Sequence, residues 1–452
     1  MALFLGFYNV EDNSMKRLSL MVFGILYVVF AAHALTFGQC VSKDDAEAAV
    51  VKWIESFGGQ VEHDEGQPGA PVVLVRLSKD TPVSEIRKLA ALKHLKCLVA
   101  SYTQLSDADL SELENMVALE ELFIGQTHVT NDGLKTMVEV KSLSRLKTLH
   151  LGATKVDDAG LVHVARLSDL ESIYLVGTAV TDAGLKELAP LRKLKSIDLR
   201  RTMLTDEGLT QLARMKSLTH VGVYHTRVTA KGLEALAAGL KEVPFLDIAA
   251  EQVTDEMLQV LHRRKSIHRV SVADYGSPTS DDKITRLSLM RAPITNEGLR
   301  CLADLKNLQT LNIALCKVTS AGLKHLSNSK DLETLEMGRC PLGDKHFADL
   351  GNLKKLKTLG IGMSRITDAS VETLICLQEL EDLGISWNSI SDEGLRALSK
   401  LKKLKVLDLQ VTSVSTTGIS EFQKQVPNCE IYTPFGRHLP AKATASMPKK
   451  GS

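Results

Sequence analysis

The spacing of apolar residues changes in a regular way along most of the chain. In its clearest copy, residues 180–203, apolar side chains first recur every three to five positions, from Val180 to Leu191. This spacing predicts one buried face of a helix. The pattern then alternates, and Ile197 and Leu199 are apolar between polar neighbours, which predicts a short strand with one face in the core.

The polar residues of the same copy predict where the helix begins and which strand side chains face outward. Thr181 has the residue type of an N-cap, and Asp182 places a negative charge in the first helical turn. Ser196, Asp198 and Arg200 alternate with the apolar strand positions, so we expect them to face away from the core. One unit is therefore predicted to be a helix, a turn and a strand.

This unit recurs with a period of 24 residues, which predicts a solenoid with parallel strands on the concave face and helices outside. Most intervals are 24 residues, and the longest are 27 residues after Val129 and 41 after Val253. The copies begin near Thr81, Leu105, Val129, Val156, Val180, Leu204, Val228, Val253, Ile294, Val318, Leu342, Ile366, Ile390 and Val414.

The repeats let one elongated domain absorb most of the 452 residues, because each unit packs only on its neighbours. We predict an N-terminal extension with a signal peptide or anchor at 1–40, a cap at 41–80 and an array of about 14 units at 81–418. A C-terminal cap is expected at 419–434 and a disordered tail at 435–452. An insertion near 273–283 replaces one helix with a loop, which is either a binding loop or a spacer.

The N-terminal segment has the pattern of an export signal. Lys16 and Arg17 precede fifteen uncharged residues, from Leu18 to Ala32, and a small-x-small cleavage pattern follows at 32–34. Two alternatives remain open, an uncleaved membrane tether that runs from Leu18 to Phe37 and a buried helix. Since the signal layout begins near Met15, we interpret residues 1–14 as a misassigned start or an unusual extension.

Charge and motifs argue against several functions. Lys and Arg number 55 against 54 acidic residues, so no long-range field favours nucleic acid as a partner. The seven cysteines show neither a zinc motif nor a disulfide framework. His150, Asp198 and His220 are the best candidates for an active site, and Asp198 and His220 are expected within hydrogen-bond reach. No recognisable nucleophile or catalytic motif accompanies them, so we predict no enzyme activity, no metal and no cofactor.

The repeat resembles a known family. The stretch from Leu146 to Val156 reads L-x-x-L-x-L-x-x-T-x-V and continues as D-D-A-G-L, which resembles the leucine-rich repeat in its ribonuclease-inhibitor-like and cysteine-containing classes. The V-T-D-x-G-L form is similar to bacterial members, many of which look exported. The resemblance implies an α/β horseshoe that binds partners without catalysis. The same architecture serves as the substrate-binding part of F-box proteins, although no F-box-like segment precedes this array.

Two positions of the repeat invite a chemical role but have a structural interpretation. The Asn or Cys position of the family is mostly Thr in this chain, and Cys316, Cys340, Ser364 and Asn388 occupy the same slot. We expect these small polar side chains to bond the backbone of the neighbouring turn rather than a metal. A single glycine recurs at most helix starts, as at Gly184 and Gly208, which predicts close backbone packing rather than a phosphate loop.

The outward strand residues form a middle column and flanking columns, with large side chains in the N-terminal half of the array and small ones later, as at Gly338 and Gly362. Exposed Tyr and Arg are common in binding hot spots. We therefore predict a partner-binding patch, and the alternative is a set of varied solvent-facing residues. The patch consists of His150, Tyr174, Asp198, Arg200, His220, Tyr224 and Phe245.

The sequence thus predicts an exported or membrane-tethered leucine-rich-repeat solenoid that binds a protein ligand through its concave face. A glycan or cell-wall polymer is the first alternative partner. An intracellular substrate adaptor is the second, if the N-terminal segment is not an export signal.

Overall fold

The computed structural model of the chain describes residues 45–273, 278–433 and 435–438. The predicted export signal or tether, most of the predicted tail and four residues of the insertion lie outside these ranges. Within them, no helix combines the length and the apolarity that crossing a bilayer requires.

The strands follow each other in chain order and form a first sheet of nine strands and a second sheet of eight. All neighbours pair in parallel except β1 with β2 and β16 with β17, which are antiparallel. The first sheet contains β1 (Gln60–His63), β2 (Val72–Arg76), β3 (Cys97–Val99), β4 (Glu121–Phe123), β5 (Thr148–His150), β6 (Ser172–Tyr174), β7 (Ser196–Asp198), β8 (His220–Gly222) and β9 (Phe245–Asp247). The second contains β10 (Arg286–Ser288), β11 (Thr310–Asn312), β12 (Thr334–Glu336), β13 (Thr358–Gly360), β14 (Asp382–Gly384), β15 (Val406–Asp408), β16 (Glu430–Thr433) and β17 (Gly436–His438).

Helices alternate with the strands, so the predicted α/β leucine-rich-repeat solenoid is confirmed. The α-helices of the described residues are α1 (Asp45–Ser56), α2 (Asn131–Glu139), α3 (Asp158–Val164), α4 (Asp182–Leu185), α5 (Asp206–Leu212), α6 (Ala230–Gly239), α7 (Asp255–Arg263), α8 (Asn296–Arg300), α9 (Asp368–Leu374), α10 (Asp392–Leu398) and α11 (Thr416–Gln425). The 3₁₀ helices are Val83–Ala91, Asp107–Asn115, Lys141–Arg145, Ala250–Gln252, Ile267–Arg269, Asp281–Lys283, Ser320–Leu326 and Phe347–Asn352.

The strand register agrees with the column of outward residues that the sequence predicts. In the first sheet Phe123 pairs with His150, His150 with Tyr174 and Tyr174 with Asp198. The central residue of each strand points the other way, and Ile197 is 1% exposed. Alternation with a period of two therefore fixes which side chains the strand face presents.

The predicted helix start is also confirmed, with an additional bond between repeats. The side chain of Thr181 caps α4 by accepting the N–H of Ala183. The carboxylate of Asp182 accepts from the backbone N–H of Thr205 in the next repeat at 2.9 Å, and from its hydroxyl. Each first-turn aspartate of this kind therefore tethers the cap of the following helix.

The recurring glycine follows from this contact between repeats. A Cβ atom at Gly184 would lie 2.4 Å from Oδ1 of Asp158, and one at Gly208 would lie 2.4 Å from Oδ1 of Asp182. Close packing at the helix start is therefore confirmed as the reason for these glycines, and the backbone at both positions has no positive φ angle.

The side chain at the turn position after each strand forms a hydrogen bond either to the preceding repeat or within its own turn, and the sequence predicted only a bond to a neighbouring turn. Cys316 donates through Sγ to the carbonyl of Leu289 at 3.2 Å, and the Asn388 amide donates to Ile361 at 2.9 Å, both in the preceding repeat. The threonines differ, because Thr202 donates to Leu199 in its own turn at 2.6 Å. The predicted bond to the neighbouring turn is thus confirmed for Cys316 and Asn388 and wrong for Thr202.

Both ends of the array carry the predicted elements. At the front, α1 packs Ile54 into the core and the hairpin of β1 and β2 is present. At the far end α11 and β16 follow as expected, but the prediction of disorder from residue 435 is wrong for 436–438. There the chain turns back at Gly436, whose φ angle is +127°, and Arg437 bonds to Glu430 across the new strand pair.

The insertion near 273–283 interrupts the strand layer. The run that begins at Ile267 has the apolar spacing of a strand, but it forms a 3₁₀ helix and an isolated bridge from Leu246 to Val270. A side chain takes part of the backbone's role, because the hydroxyl of Ser271 bonds both the N–H and the carbonyl of Ile248 at 3.0 Å. The full ladder between neighbouring strands therefore cannot form at this position.

Candidate functional site

The candidate site is the strand face of β4 to β9, which we call the aromatic patch. It gathers the rings of Phe123, His150, Tyr174, His220, Tyr224 and Phe245 around the charged residues Asp198, Arg200 and Asp247. All seven residues that the sequence predicted for partner binding lie on this surface. Phe123 and Asp247 are additional members, both from the predicted middle column.

Three rings of the patch stack across neighbouring strands. The centroids of Phe123 and His150 are 6.0 Å apart, and those of His150 and Tyr174 are 5.5 Å apart, with interplanar angles of 29° and 25°. The imidazole lies over Gly125 and Gly152, where an added Cβ would approach it to 2.5 and 2.9 Å. Two glycines therefore make the space in which the histidine lies flat.

Burial sets the protonation of this stack. Desolvation lowers the pKa of His150 below its ordinary value and outweighs the opposing charge of Asp198. Desolvation also raises the pKa of the Tyr174 phenol, and the charge of Asp198 adds to the effect. Both side chains are therefore neutral near pH 7, so the stack presents an uncharged surface to a ligand.

Beside the stack, Arg200 joins two carboxylates. Its Nε lies 2.9 Å from Oδ1 of Asp198 and its Nη2 lies 2.7 Å from Oδ2, while Nη1 reaches Asp247 at 3.1 Å. Burial alone would lower the pKa of Arg200, but the hydrogen bonds and charges of the aspartates outweigh it and raise the pKa. Desolvation raises the pKa of Asp247 despite the nearby arginine.

This cluster corrects one expectation about the patch. Arg200 and Asp198 were predicted to be exposed, yet their side chains are only 10% and 8% exposed. The reason is Gly222, which lies between Asp198 and Asp247 in the same column, where a Cβ would come within 2.6 Å of Asp198. Because Gly222 has no side chain, the Arg200 side chain can extend across the neighbouring strand and reach Asp247. The sequence signal was a D-x-R pair on one strand beside a glycine on the next.

The pair proposed as a catalytic candidate is not brought together. In the register of β7 and β8, Asp198 lies opposite Gly222, while His220 lies opposite Ser196. The Asp198 carboxylate is held by Arg200, and Nδ1 of His220 bonds the hydroxyl of Thr219 at 2.9 Å. Among the residues described, no cluster of three or more His, Cys, Asp or Glu side chains could hold a metal ion.

The remaining aromatic side chains form two contacts at the other end of the patch. The rings of His220 and Phe245 are 5.8 Å apart in a tilted arrangement, and the ring of Tyr224 meets that of His225 edge-on at 4.1 Å. Desolvation lowers the pKa of His220, and the charge of Arg269 adds to this effect. His220 is the exposed member of the patch, whereas Tyr224 and Phe245 are partly buried.

Sequence reasoning missed a second surface, which we call the turn groove. It is a shallow pocket of about 270 Å³ that crosses four repeats where β11 to β14 end. Its floor consists of small residues, Ala314, Gly338, Gly362 and Ser386. The sequence analysis noted that the later repeats carry small residues but assigned them no function.

The rim of the turn groove is built from the residue that follows each floor residue. Leu315, Arg339, Met363 and Trp387 all have positive φ angles, between 56° and 63°. Bulky side chains are uncommon in this conformation. The repeat imposes it, since the N–H of Trp387 must reach the carbonyl of Gln410 at 2.8 Å. A bulky residue at each such turn was the sequence signal for an exposed apolar row.

Several solved structures are similar to the chain at low sequence identity. An internalin from Listeria monocytogenes is 18% identical with a TM-score of 0.41, covering 87% of this chain and 94% of its own. A leucine-rich-repeat protein of Leptospira interrogans is 17% identical with a TM-score of 0.48, covering 76% and 91%. The ectodomain of the Arabidopsis thaliana receptor kinase GASSHO1/SCHENGEN3, solved with CASPARIAN STRIP INTEGRITY FACTOR 2, is 13% identical with a TM-score of 0.39, covering 77% and 47%.

A family model also matches the repeats. No curated protein matches the chain. The model described as Leucine Rich repeat matches residues 283–303, 304–327 and 377–399, which include β10, β11 and β14 with the helices that follow them. The ribonuclease-inhibitor-like class stays a prediction. Three repeats thus match the leucine-rich-repeat model, and the same alternation of parallel strands with helices continues through the described residues, which indicates a protein-interaction scaffold.

Proposed function

We propose that the protein is an exported or membrane-tethered scaffold without catalytic activity, and that it binds a protein ligand through its strand face. The observation that carries this proposal is the aromatic patch. Only 4% of the residues are aromatic, yet Phe123, Tyr174, Tyr224 and Phe245 share one face of neighbouring strands. Aromatic side chains supply much of the affinity at protein interfaces because they bury large areas at low entropic cost.

The charged cluster gives this surface a defined shape. Arg200 is held by Asp198 and Asp247, so its conformation is fixed before a ligand arrives. A fixed side chain loses little entropy on binding, which favours affinity. Tyr174 and Tyr224 are therefore expected to supply the main contacts, while Arg200 orients the carboxylates around them.

The binding test compares two sets of tyrosines. Cells expressing the full chain are fractionated, and the protein is crosslinked to its partners in the compartment where it is found. Replacing Tyr174 and Tyr224 with Ala should remove the main crosslinked protein, while thermal melting stays unchanged. Tyr102→Ala is the matched control, because Tyr102 is 55% exposed and lies at a turn outside the strand face. Identical crosslinks in all variants would rule out the patch as the binding surface.

Localisation is tested in the same cells by sequencing the mature N-terminus. A new N-terminus near Leu35 supports export with cleavage, and an intact membrane-bound chain supports a tether from Leu18 to Phe37. An intact soluble chain would overturn both and favour the intracellular adaptor.

A further inference from the structure

The strand face of the second sheet carries carboxylates that lack cationic partners. Glu336, Asp382 and Asp408 lie on β12, β14 and β15, and none of them forms an ion pair within the described chain. By contrast, Glu333 precedes β12 and is paired with Lys357 at 2.9 Å. The strand face is therefore left with negative charge that the chain itself does not neutralise.

The protonation of these groups reflects that arrangement. Desolvation raises the pKa of Glu336 above its ordinary value, and the charge of Asp382 contributes. Desolvation likewise raises the pKa of Asp382, with a contribution from Asp408. A cation placed over these side chains would relieve the repulsion between them.

The acidic side chains and the turn groove are neighbours. Glu336 and Asp408 lie in the middle column, and the groove floor from Gly338 to Ser386 lies in the column two residues further along the chain, about 7 Å away. Asp382 lies two residues before the middle column, beside Val406. Both columns run across the strands, which are spaced about 4.8 Å apart. The floor crosses four repeats and is therefore about 14 Å long, enough for four residues of an extended chain.

Two glycines leave this area open although the fold does not require glycine there. At Gly384 an added Cβ would meet only backbone atoms at 3.8 Å or more, and at Gly338 only the carbonyl of Gly362 at 3.6 Å. Neither has a positive φ angle. They differ from Gly184 and Gly208, where a neighbouring aspartate occupies the space. A bare backbone beside exposed apolar side chains is accessible to an extended ligand.

The rim supplies apolar contact on the side away from the carboxylates. Trp387 is 51% exposed and Met363 is 40% exposed, and Val411 continues the row at 48%. The Nε of Arg339 lies 3.2 Å from the sulfur of Met363. The rim therefore carries a positive charge of its own, so a cationic ligand side chain is favoured only on the strand face.

We propose that the turn groove binds an extended segment of a partner protein in which an apolar side chain lies within two residues of a lysine or arginine. The apolar side chain packs against Met363 and Trp387, and the cation lies over Glu336 or Asp408. This surface belongs to the second sheet and is separate from the aromatic patch. It goes beyond the proposed function, because it could bind whether or not the aromatic patch does.

The test uses a defined probe. The blocked pentapeptide Lys-Leu-Lys-Leu-Lys is titrated into the full chain by calorimetry, and fluorescence is followed because Trp387 is one of only two tryptophans. We expect saturable binding that weakens with salt, and at least tenfold weaker binding of Glu-Leu-Glu-Leu-Glu. Trp387→Ala should weaken the calorimetric affinity at least tenfold. Tyr102→Ala, which changes the corresponding turn residue in the first sheet, should leave it unchanged.

A second variant separates loss of binding from loss of folding. Gly338→Leu fills the floor of the groove at a position with room for a Cβ, so its thermal midpoint should match that of the native chain. We expect it to abolish peptide binding. Equal affinity for the two peptides, no binding of either, or unchanged affinity in both Trp387→Ala and Gly338→Leu would overturn the proposal.

Two other occupants are distinguished in the same series. If replacing Lys442, Lys449 and Lys450 with Gln increases peptide affinity, the groove is occupied by the chain's own C-terminal segment. If sedimentation shows self-association that Trp387→Ala removes, the occupant is a second copy. Either result overturns the assignment to a partner protein. The crosslinks that depend on Tyr174 report on the aromatic patch alone, so the two surfaces can fail separately.

Discussion

At the scale of a single residue, His150 shows how neighbours determine the chemistry of a side chain. Its ring stacks between Phe123 and Tyr174, and the glycines beneath it let the imidazole lie against the sheet. Few water molecules can reach the ring in this position. The charged form is therefore disfavoured in the folded protein, although Asp198 lies near enough to oppose the effect.

This environment predicts that His150 contributes to acid sensitivity. Its pKa is lowered in the folded state, so the unfolded chain takes up the proton first as the pH falls through about 6.5. Stability is therefore present above that pH and is lost as the pH falls toward the lowered value. We expect His150→Phe, which keeps a ring in the stack, to lose less stability than the native chain between pH 7.5 and pH 5.

Urea midpoints measured across this range test the prediction. Since desolvation also lowers the pKa of His220 and His325, both proteins should lose some stability, and only the difference between them belongs to His150. Midpoints that fall in parallel with pH would show that protonation of His150 is not linked to folding.

Single residues also show which features of the patch the sequence could predict and which it could not. The register that aligns His150, Tyr174 and Asp198 could be predicted because a strand alternates with a period of two. The burial of Arg200 could not, because it depends on a missing side chain at Gly222, one strand away. The sequence pattern of one strand does not show whether the neighbouring strand leaves room for a side chain.

At the scale of the element, each helix start is part of the contact between repeats. Asp182 lies in the first turn of α4 and bonds the cap residue Thr205 of α5. Gly208 lies beneath that bond, with no room for a side chain. The V-T-D-x-G-L sequence therefore combines a cap, a tether to the next repeat and the gap that the tether needs.

A pair of glycine substitutions tests this interpretation. In Gly208→Ala the new Cβ would lie 2.2 Å from Cδ1 of Leu204 and 2.4 Å from Oδ1 of Asp182, so the helix start must shift. We expect a loss of roughly 1–3 kcal/mol, as for other overpacked sites. Gly338→Ala is the control, because its Cβ meets only one backbone oxygen at 3.6 Å. It should be neutral or slightly stabilising, since Ala restricts the unfolded chain.

Urea unfolding of the two variants and the native chain gives the comparison. An equal loss of stability in both variants would mean that the glycines act through backbone flexibility rather than through the space beside Asp182.

Element lengths were less predictable than element starts. The Thr and Asp signals located α4 correctly, but its α-helix ends at Leu185, although apolar residues continue at helical spacing to Leu191. A solenoid needs each apolar side chain to point inward, and turns can do this as well as a helix. Hydrophobic spacing therefore predicted which residues are buried better than it predicted the length of the helix.

At the scale of the whole array, the strand layer and the helix layer are continuous to different degrees. Asp255 of α7 bonds the N–H of Thr295 at 2.9 Å and its hydroxyl at 2.6 Å, although 40 residues separate them. The helix layer thus passes the insertion with its usual contact. The strand layer does not, because among the described residues the two sheets are connected only through the isolated bridges from Leu246 to Val270 and from Ala273 to Leu287.

The sequence near the insertion explains why the strand layer is interrupted there, at the joint between β9 and β10. Residues 267–272 read I-H-R-V-S-V and residues 284–289 read I-T-R-L-S-L, so the chain enters the strand layer twice within 17 residues. No helix of normal length fits between the two runs. The longer interval was visible in the sequence, but which run would join a sheet was not, because both have the apolar spacing of a strand.

The joint predicts that the two halves of the array unfold with different free energies. In a solenoid each repeat is stabilised by its neighbours, and here isolated bridges replace a full strand ladder, each missing hydrogen bond of which would contribute about 0.5–1.5 kcal/mol. Hydrogen exchange under native conditions should therefore give separate opening free energies for β1 to β9 and β10 to β17.

Deleting residues 267–283 joins Ser266 to Ile284 and restores the 24-residue interval, so that Leu287 can pair directly with Leu246. We expect the deletion variant to open as one cooperative unit, with a single urea transition. If the native chain already exchanges as one unit, or if the deletion leaves two, then the contact through Asp255 and Thr295 rather than the strand ladder couples the halves.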